Sequence, residues 1–203
     1  GGYPCDMDAI NLAVAGRAYV IEDAAHALGG SYPDGSKIGS GGHSHMTVFS
    51  FHPVKAIAAG EGGMITTNDE GIYRHLLRLR SHGINKLDDG FENAEMAGPS
   101  DNPNPWYYEM QELGFNYRIT DIQSALALSQ LKKLDAFVAR RRELAAAYDQ
   151  NFAGFAHLRP AQEIGREMSG HHLYVVRIKF DEITLTRADL MRELRVRGIG
   201  SQV

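Results

Sequence analysis

The chain has 203 residues, 43% of them hydrophobic and 23% charged, an ordinary globular composition with enough apolar material for a sizeable core. A net charge of −4 gives no electrostatic reason to expect nucleic acid or an anionic membrane as partner, and no stretch approaches the ~18 consecutive apolar residues of a membrane helix. Cys5 is the single cysteine, so no internal disulfide can form, and a reducing, cytoplasmic setting is expected.

Asp6 can cap a helix running through Ile10 to Val14, with Gly16 placed to end it. Residues 18–22 read as a short buried strand that leaves Asp23 at its carboxyl end. Residues 29–44 form a loop of glycine, serine and aspartate. The apolar runs 47–51 and 63–67 have strand length and are bounded by turn residues. Residues 69–80 alternate leucine and arginine at helical spacing. The stretch 81–111, rich in Asn, Asp, Pro and Gly, is too long for an ordinary connection and is a candidate functional loop.

The clearest helix starts at Thr120. Thr120 and Gln123 have capping-box spacing, and Ile122, Ala125, Leu126, Leu128, Leu131 and Leu134 recur on one face. The helix is expected to continue, with a bend, to Tyr148. Lys132-Lys133 and Arg140-Arg141-Arg142 interleave with leucines and read as a solvated helix face. Residues 172–180 alternate, with Tyr174, Val176, Ile178 and Phe180 on one side, as in a half-buried strand. Thr186, with Asp189 three residues on, opens a last helix through Leu194. Strands alternating with helices before Gly114 imply an α/β layer with a parallel or mixed sheet. Strand and helix after the long helix predict the start of a smaller α+β domain, dividing the chain into residues 1–152 and 153–203.

The chemistry concentrates in two places. Val20-Ile21-Glu22-Asp23 sets a carboxylate at a strand end, where ligands of open α/β sheets gather. Ser50-Phe51-His52-Pro53-Val54-Lys55, closed by Gly60-Glu61-Gly62-Gly63, supplies a hydroxyl and then an amine on a turn. A pyridoxal phosphate enzyme needs an acid for the pyridine nitrogen, a donor for the phosphate and an amine for the Schiff base. The glycines are no phosphate-binding P-loop, because the Gly-Lys-Ser/Thr tail is missing; they predict a tight turn that brings the next strand beside the lysine. His43, His45 and His52 come with neither an H-E-x-x-H helix nor cysteine pairs, so no metal site is expected.

Three long motifs, "EDAAHALGG", "SFHPVKAIAAGEGGM" and "ELGFNYRITDIQSALALSQLKKLD", resemble the sugar-nucleotide aminotransferases of the fold-type I pyridoxal phosphate superfamily, the DegT/DnrJ type. The resemblance covers most of the chain. It implies the large domain of an aspartate aminotransferase-like fold, incomplete here, followed by the start of a small C-terminal domain. Relative to that family the chain is expected to be a fragment, lacking both an N-terminal and a C-terminal part.

By the same resemblance, Lys55 and Asp23 are catalytic, and Asp23, His26, Ser50, Lys55 and Asn116 contact pyridoxal 5′-phosphate. Asn116 would reach the phosphate from the other subunit of a homodimer. His52, Tyr117 and Arg118 are candidate substrate contacts, Arg118 because its guanidinium suits a carboxylate or a phosphate. Trp106, Tyr107 and Tyr108 can stack on a uracil or sugar ring, or equally anchor their loop. The implied substrates are an amino-acid donor, glutamate in this family, and a nucleotide sugar. "SFHPVK" leans towards amination at C4 of a UDP-linked 4-keto-6-deoxy-N-acetylhexosamine on the route to pseudaminic acid. Perosamine and 4-amino-arabinose enzymes share most of the other motifs. A sugar-dehydratase branch carries histidine in place of the lysine, and Lys55 argues against it. A non-catalytic regulator on the same fold is the rival from another class.

Overall fold

A computed structural model describes residues 1–85 and 90–203. The first helix, α1 (Met7–Val14), is capped as its sequence requires: Asp6 Oδ1 accepts from Ala9 N, and Ala15 ends the helix in the left-handed conformation just before Gly16. The central sheet has three strands in the order β1 (Ile21–Asp23), β2 (Met46–Ser50), β3 (Gly63–Thr66). β1 and β2 run parallel, with Asp23 opposite Val48, and β3 returns antiparallel, with Gly63 opposite Ser50. The sheet is therefore mixed.

The first strand departs from expectation. It begins at Ile21 rather than residue 18, and Ile21 is 58% exposed. An apolar run does not say which faces are covered, and β1 is an edge strand with β2 as its neighbour in the sheet. Glu22, which the sequence reading passed over, fixes the pairing. Its carboxylate accepts the Tyr32 hydroxyl at 2.7 Å, the Ser44 hydroxyl at 2.5 Å and the Thr47 hydroxyl at 3.3 Å. Tyr32 and Thr47 are buried, and burial first, then the bond to Glu22, pushes the Tyr32 phenol's pKa up. The core lies on this side of the sheet, where Phe49, Phe51, Ile57, Ala59, Ile38 and Ala127 pack together.

α2 (Glu70–Leu79) follows, capped by Asp69 through Ile72 N. The long loop after it contains regular structure: β4 (Ile84–Asn85) pairs with β5 (Glu109–Met110), and α3 (Ala94–Ala97) lies between them. Residues 86–89 of that loop lie outside the described residues. Tyr107 anchors it, donating to Glu109 at 2.6 Å with its ring against Phe91, while Trp106 and Tyr108 are exposed. Glu112 ties the loop's end to α2 through His75 at 2.6 Å and Arg78 at 3.2 Å.

The Thr120 capping box is present in full, and the helix it opens is broken, giving α4 (Asp121–Leu131) and α5 (Leu134–Phe152). The arginine run on α5 is not a uniform solvated face. Successive helical residues point about 100° apart, so Arg140 stays outside with Glu143 while Arg141 reaches the carbonyls of His171 and His172 and Arg142 that of Ser169. The expected strand over 172–180 is shorter than its alternation: only β7 (Val176–Ile178) pairs, with β6 (Leu158–Pro160), although the in-out pattern extends on both sides. α6 (Arg187–Val196) is capped by Thr186. Among the described residues no helix is long and apolar enough to cross a membrane.

Candidate active site

Strand alternation assigns the side chains to faces. In parallel register, Asp23 lies opposite Val48, and Ser50 is two residues further on, so Asp23, Val48 and Ser50 share one face. Glu22, Thr47 and Phe49 share the other, against the core. Asp23 and Ser50 thus stand at the carboxyl ends of neighbouring parallel strands, the edge of an α/β sheet that receives ligands.

Beyond β1 the backbone turns at once. Ala24 N donates to Val48 O, Ala27 N donates to Ala24 O, and Asp23 Oδ1 accepts from Ala25 N at 3.1 Å. Asp23 therefore caps its own turn with one oxygen. Its other oxygen has no hydrogen-bond partner among the described residues, and the turn brings His26 round beside the strand ends. Beyond β2, Ser50 Oγ accepts from His52 N at 3.3 Å, and Lys55 N donates to His52 O at 2.9 Å. Phe51 N donates to Gly62 O and Ala59 N donates to Phe51 O, which lace the lysine loop into a closed turn. The glycines serve that turn as expected. Gly62 has φ +132°, and a Cβ on Gly63 would lie 2.6 Å from Phe49 O, so β3 comes this close to β2 only with glycine there.

His26 senses two of the other expected residues. Burial, then the charge of Lys55, holds His26 below the usual histidine pKa range, and Asp23 pulls it the other way. Lys55 is half-buried, and its Nζ makes no hydrogen bond among the described residues. His52 is exposed, its Nε2 4.0 Å from Glu61. His43 and His45 have partners of their own, Asp34 at 3.3 Å and Val20 N at 2.9 Å.

Asn116, Tyr117 and Arg118 form a separate group. Their segment hangs from the end of α2, with His82 N donating to Phe115 O, Phe115 N to Leu79 O and Tyr117 N to Arg80 O. All three side chains are exposed, and the Tyr117 ring stacks on Phe115 at 4.8 Å. Among the described residues no hydrogen bond or ion pair joins any of the three to Lys55.

One residue at the site had no signal in the sequence. His172 comes from beyond α5 and sets its ring 4.4 Å from that of His26, centroid to centroid. Its pKa is pushed down to about 4, by burial first and then by the charges of His26 and Lys55. As the second of two adjacent histidines at the head of an alternating run, it looks like any strand residue.

Residues 1–203, the whole chain, match the profile of the DegT/DnrJ/EryC1/StrS aminotransferase family. The chain belongs to that family. It is 36% identical over 204 residues to a UDP-4-amino-4,6-dideoxy-N-acetyl-beta-L-altrosamine transaminase of Campylobacter jejuni, covering all of this chain and 49% of that protein. It is 39% identical over 203 residues to the uncharacterized protein MJ1066 of Methanocaldococcus jannaschii, covering 50% of it. Among solved structures it resembles Helicobacter pylori PseC, an aminotransferase involved in the biosynthesis of pseudoaminic acid. That match has a TM-score of 0.83 and 30% identity, and covers all of this chain and 49% of PseC. The DegT/DnrJ/EryC1/StrS chain described here thus spans about half the length of the relatives it matches, and the sheet edge carrying Asp23, Ser50 and Lys55 belongs to an α/β fold shared with sugar aminotransferases.

Proposed function

We propose that Asp23, His26, Ser50 and Lys55 hold pyridoxal 5′-phosphate, and that the whole protein moves an amino group from an amino acid, glutamate in this family, to a nucleotide sugar. The observation that carries this reading is the convergence of a carboxylate, a hydroxyl and an amine at the carboxyl edge of β1 and β2, with His26 responding to both Asp23 and Lys55. That donor set fits the cofactor: acid for the ring nitrogen, hydroxyl for the phosphate, amine for the aldehyde. When bound, pyridoxal phosphate supplies an aldehyde that carries the amino group and a ring that accepts electrons. Asp23 holds a proton on the ring nitrogen. Lys55 Nζ would anchor the cofactor and would serve as the amine that moves a proton. His26, a neutral ring, feels the charges of both groups.

The acceptor is the C4 ketone of a UDP-linked 4-keto-6-deoxy-N-acetylhexosamine, in the making of pseudaminic acid or a related surface glycan. Likeness to the Campylobacter and Helicobacter enzymes supports this choice over perosamine-type and 4-amino-arabinose-type sugars. Full-length protein incubated with glutamate and a panel of UDP-, GDP- and dTDP-linked 4-keto sugars is expected to aminate the UDP sugar fastest. Faster amination of a GDP or dTDP sugar would reassign the substrate, and no amination of any would favour a regulator.

Asn116, exposed on its segment, is proposed to reach the phosphate in a second copy of the chain, which makes the working enzyme a homodimer with shared sites. Division of the fold at residue 152, where α5 ends, belongs to the same reading. Mixing inactive Lys55→Ala and Asn116→Ala subunits should restore part of the activity, because a mixed dimer holds one site with both residues intact. No recovery from a mixture proven to exchange subunits would rule out the shared site.

A further inference from the structure

We propose that His172 is a positioning residue of this site, its ring backing His26 and holding that imidazole beside Asp23 and Lys55. The role rests on the cofactor reading above; the ring contact itself does not. The two rings lie 4.4 Å apart with planes tilted by 43°, within the range of a packed aromatic pair. Two imidazoles this close disfavour a second proton. Lys55 and Arg141 add positive charge around His172, while Asp23 is the carboxylate that acts on His26. Both rings are therefore neutral at neutral pH, and the pair packs without charge repulsion. The Nδ1 of His172 is buried and has no hydrogen-bond partner among the described residues, an arrangement that ordinary core packing avoids.

The segment that delivers His172 is built rigidly. Ser169 is fully buried; its hydroxyl donates to Gly2 O at 3.0 Å and accepts from His171 N at 2.9 Å. Arg141 Nη1 donates to the carbonyls of His171 and His172, and Arg142 Nε to that of Ser169. His171 is held at φ +46°, a conformation that persists in a non-glycine residue only where its surroundings over-determine it, and its Nε2 donates to Arg166 O at 2.9 Å. The same segment is fastened to the loop that carries His26. Ser31 N donates to Met168 O, and a Cβ on Gly170 would lie 2.7 Å from Leu28 O, so only glycine allows the approach. This is more restraint than a strand lead-in requires, and its product is the placement of one ring.

The test reads the imidazoles directly. In full-length protein without cofactor, the His26 ring is titrated by NMR in wild type, His172→Ala and His172→Phe. His172→Ala uncovers His26, so its midpoint rises towards the ordinary histidine value. His172→Phe keeps a ring in place and leaves the midpoint low. Pyridoxal phosphate affinity follows the same order, falling about tenfold in His172→Ala, the worth of an aromatic pair, and staying within about twofold in His172→Phe. An unmoved His26 midpoint in a folded His172→Ala protein overturns the proposal. Should circular dichroism show that variant unfolded, His26→Ala provides the reciprocal reading: the His172 midpoint should climb from about 4, and an unmoved value overturns the contact equally. A wild type that shows the ring coupling but binds no pyridoxal phosphate would sink the cofactor reading, and the positioning role with it, while the contact stood.

Discussion

Replacement of Lys55 by alanine is expected to abolish turnover, with a loss on the order of 10⁴-fold or more, because in the proposed site one amine both anchors the cofactor and moves the proton. The fold should survive. The lysine loop is held by backbone bonds, Lys55 N to His52 O, Phe51 N to Gly62 O and Ala59 N to Phe51 O, and the side chain takes part in none of them. Lys55 is only half-buried, and a truncation there opens no core cavity. Asp23, Ser50 and His26 remain, so the variant should still bind pyridoxal phosphate non-covalently. In the wild type, borohydride reduction followed by peptide mapping should find the cofactor on Lys55. A label on Lys37, or on no lysine at all, would show that the motif had been misread.

How far the sequence could be read depended on the range of the interaction. The Asp6, Asp69 and Thr120 caps are local, each spanning three residues, and each forms where a start was expected. The glycine turn after Lys55 was likewise legible, because the close approach of Gly63 to Phe49 O is a constraint within one hairpin. The exposure of Ile21 was not legible, since burial depends on which elements flank a strand, and a run of apolar letters is silent about that. Arg141 and Arg142 were misassigned for the same reason: their partners are carbonyls 27 to 31 residues away, in a segment without regular structure. The site divides in the same way. Asp23, Ser50 and Lys55 sit in two contiguous motifs on neighbouring strands, and parallel pairing needs only to set those strands in register. His172 joins them through a packed ring and a strained turn, and neither feature has a sequence period.

Conversion of Asp23 to asparagine is the sharper test of the electronics, because it changes charge and almost nothing else. The Asn side chain keeps a carbonyl oxygen, so the 3.1 Å bond from Ala25 N that caps the turn after β1 can persist. Asp23 is exposed and makes no salt bridge among the described residues, which leaves stability within roughly 0.5 kcal/mol of wild type. Catalysis should respond very differently. In the proposed site an amide would not hold the proton on the ring nitrogen, and the cofactor would then lose much of its capacity to accept electrons. The expected loss is about three orders of magnitude in turnover, some 4 kcal/mol of transition-state stabilisation. A second readout follows from His26. Asp23 is the neighbour whose charge favours the protonated imidazole, against burial and Lys55, so removing that charge should lower the His26 midpoint further. Near-normal turnover with a shifted His26 midpoint would mean that Asp23 acts on the histidine and not on the cofactor. Near-normal turnover with an unmoved midpoint would reduce Asp23 to the cap of its own turn.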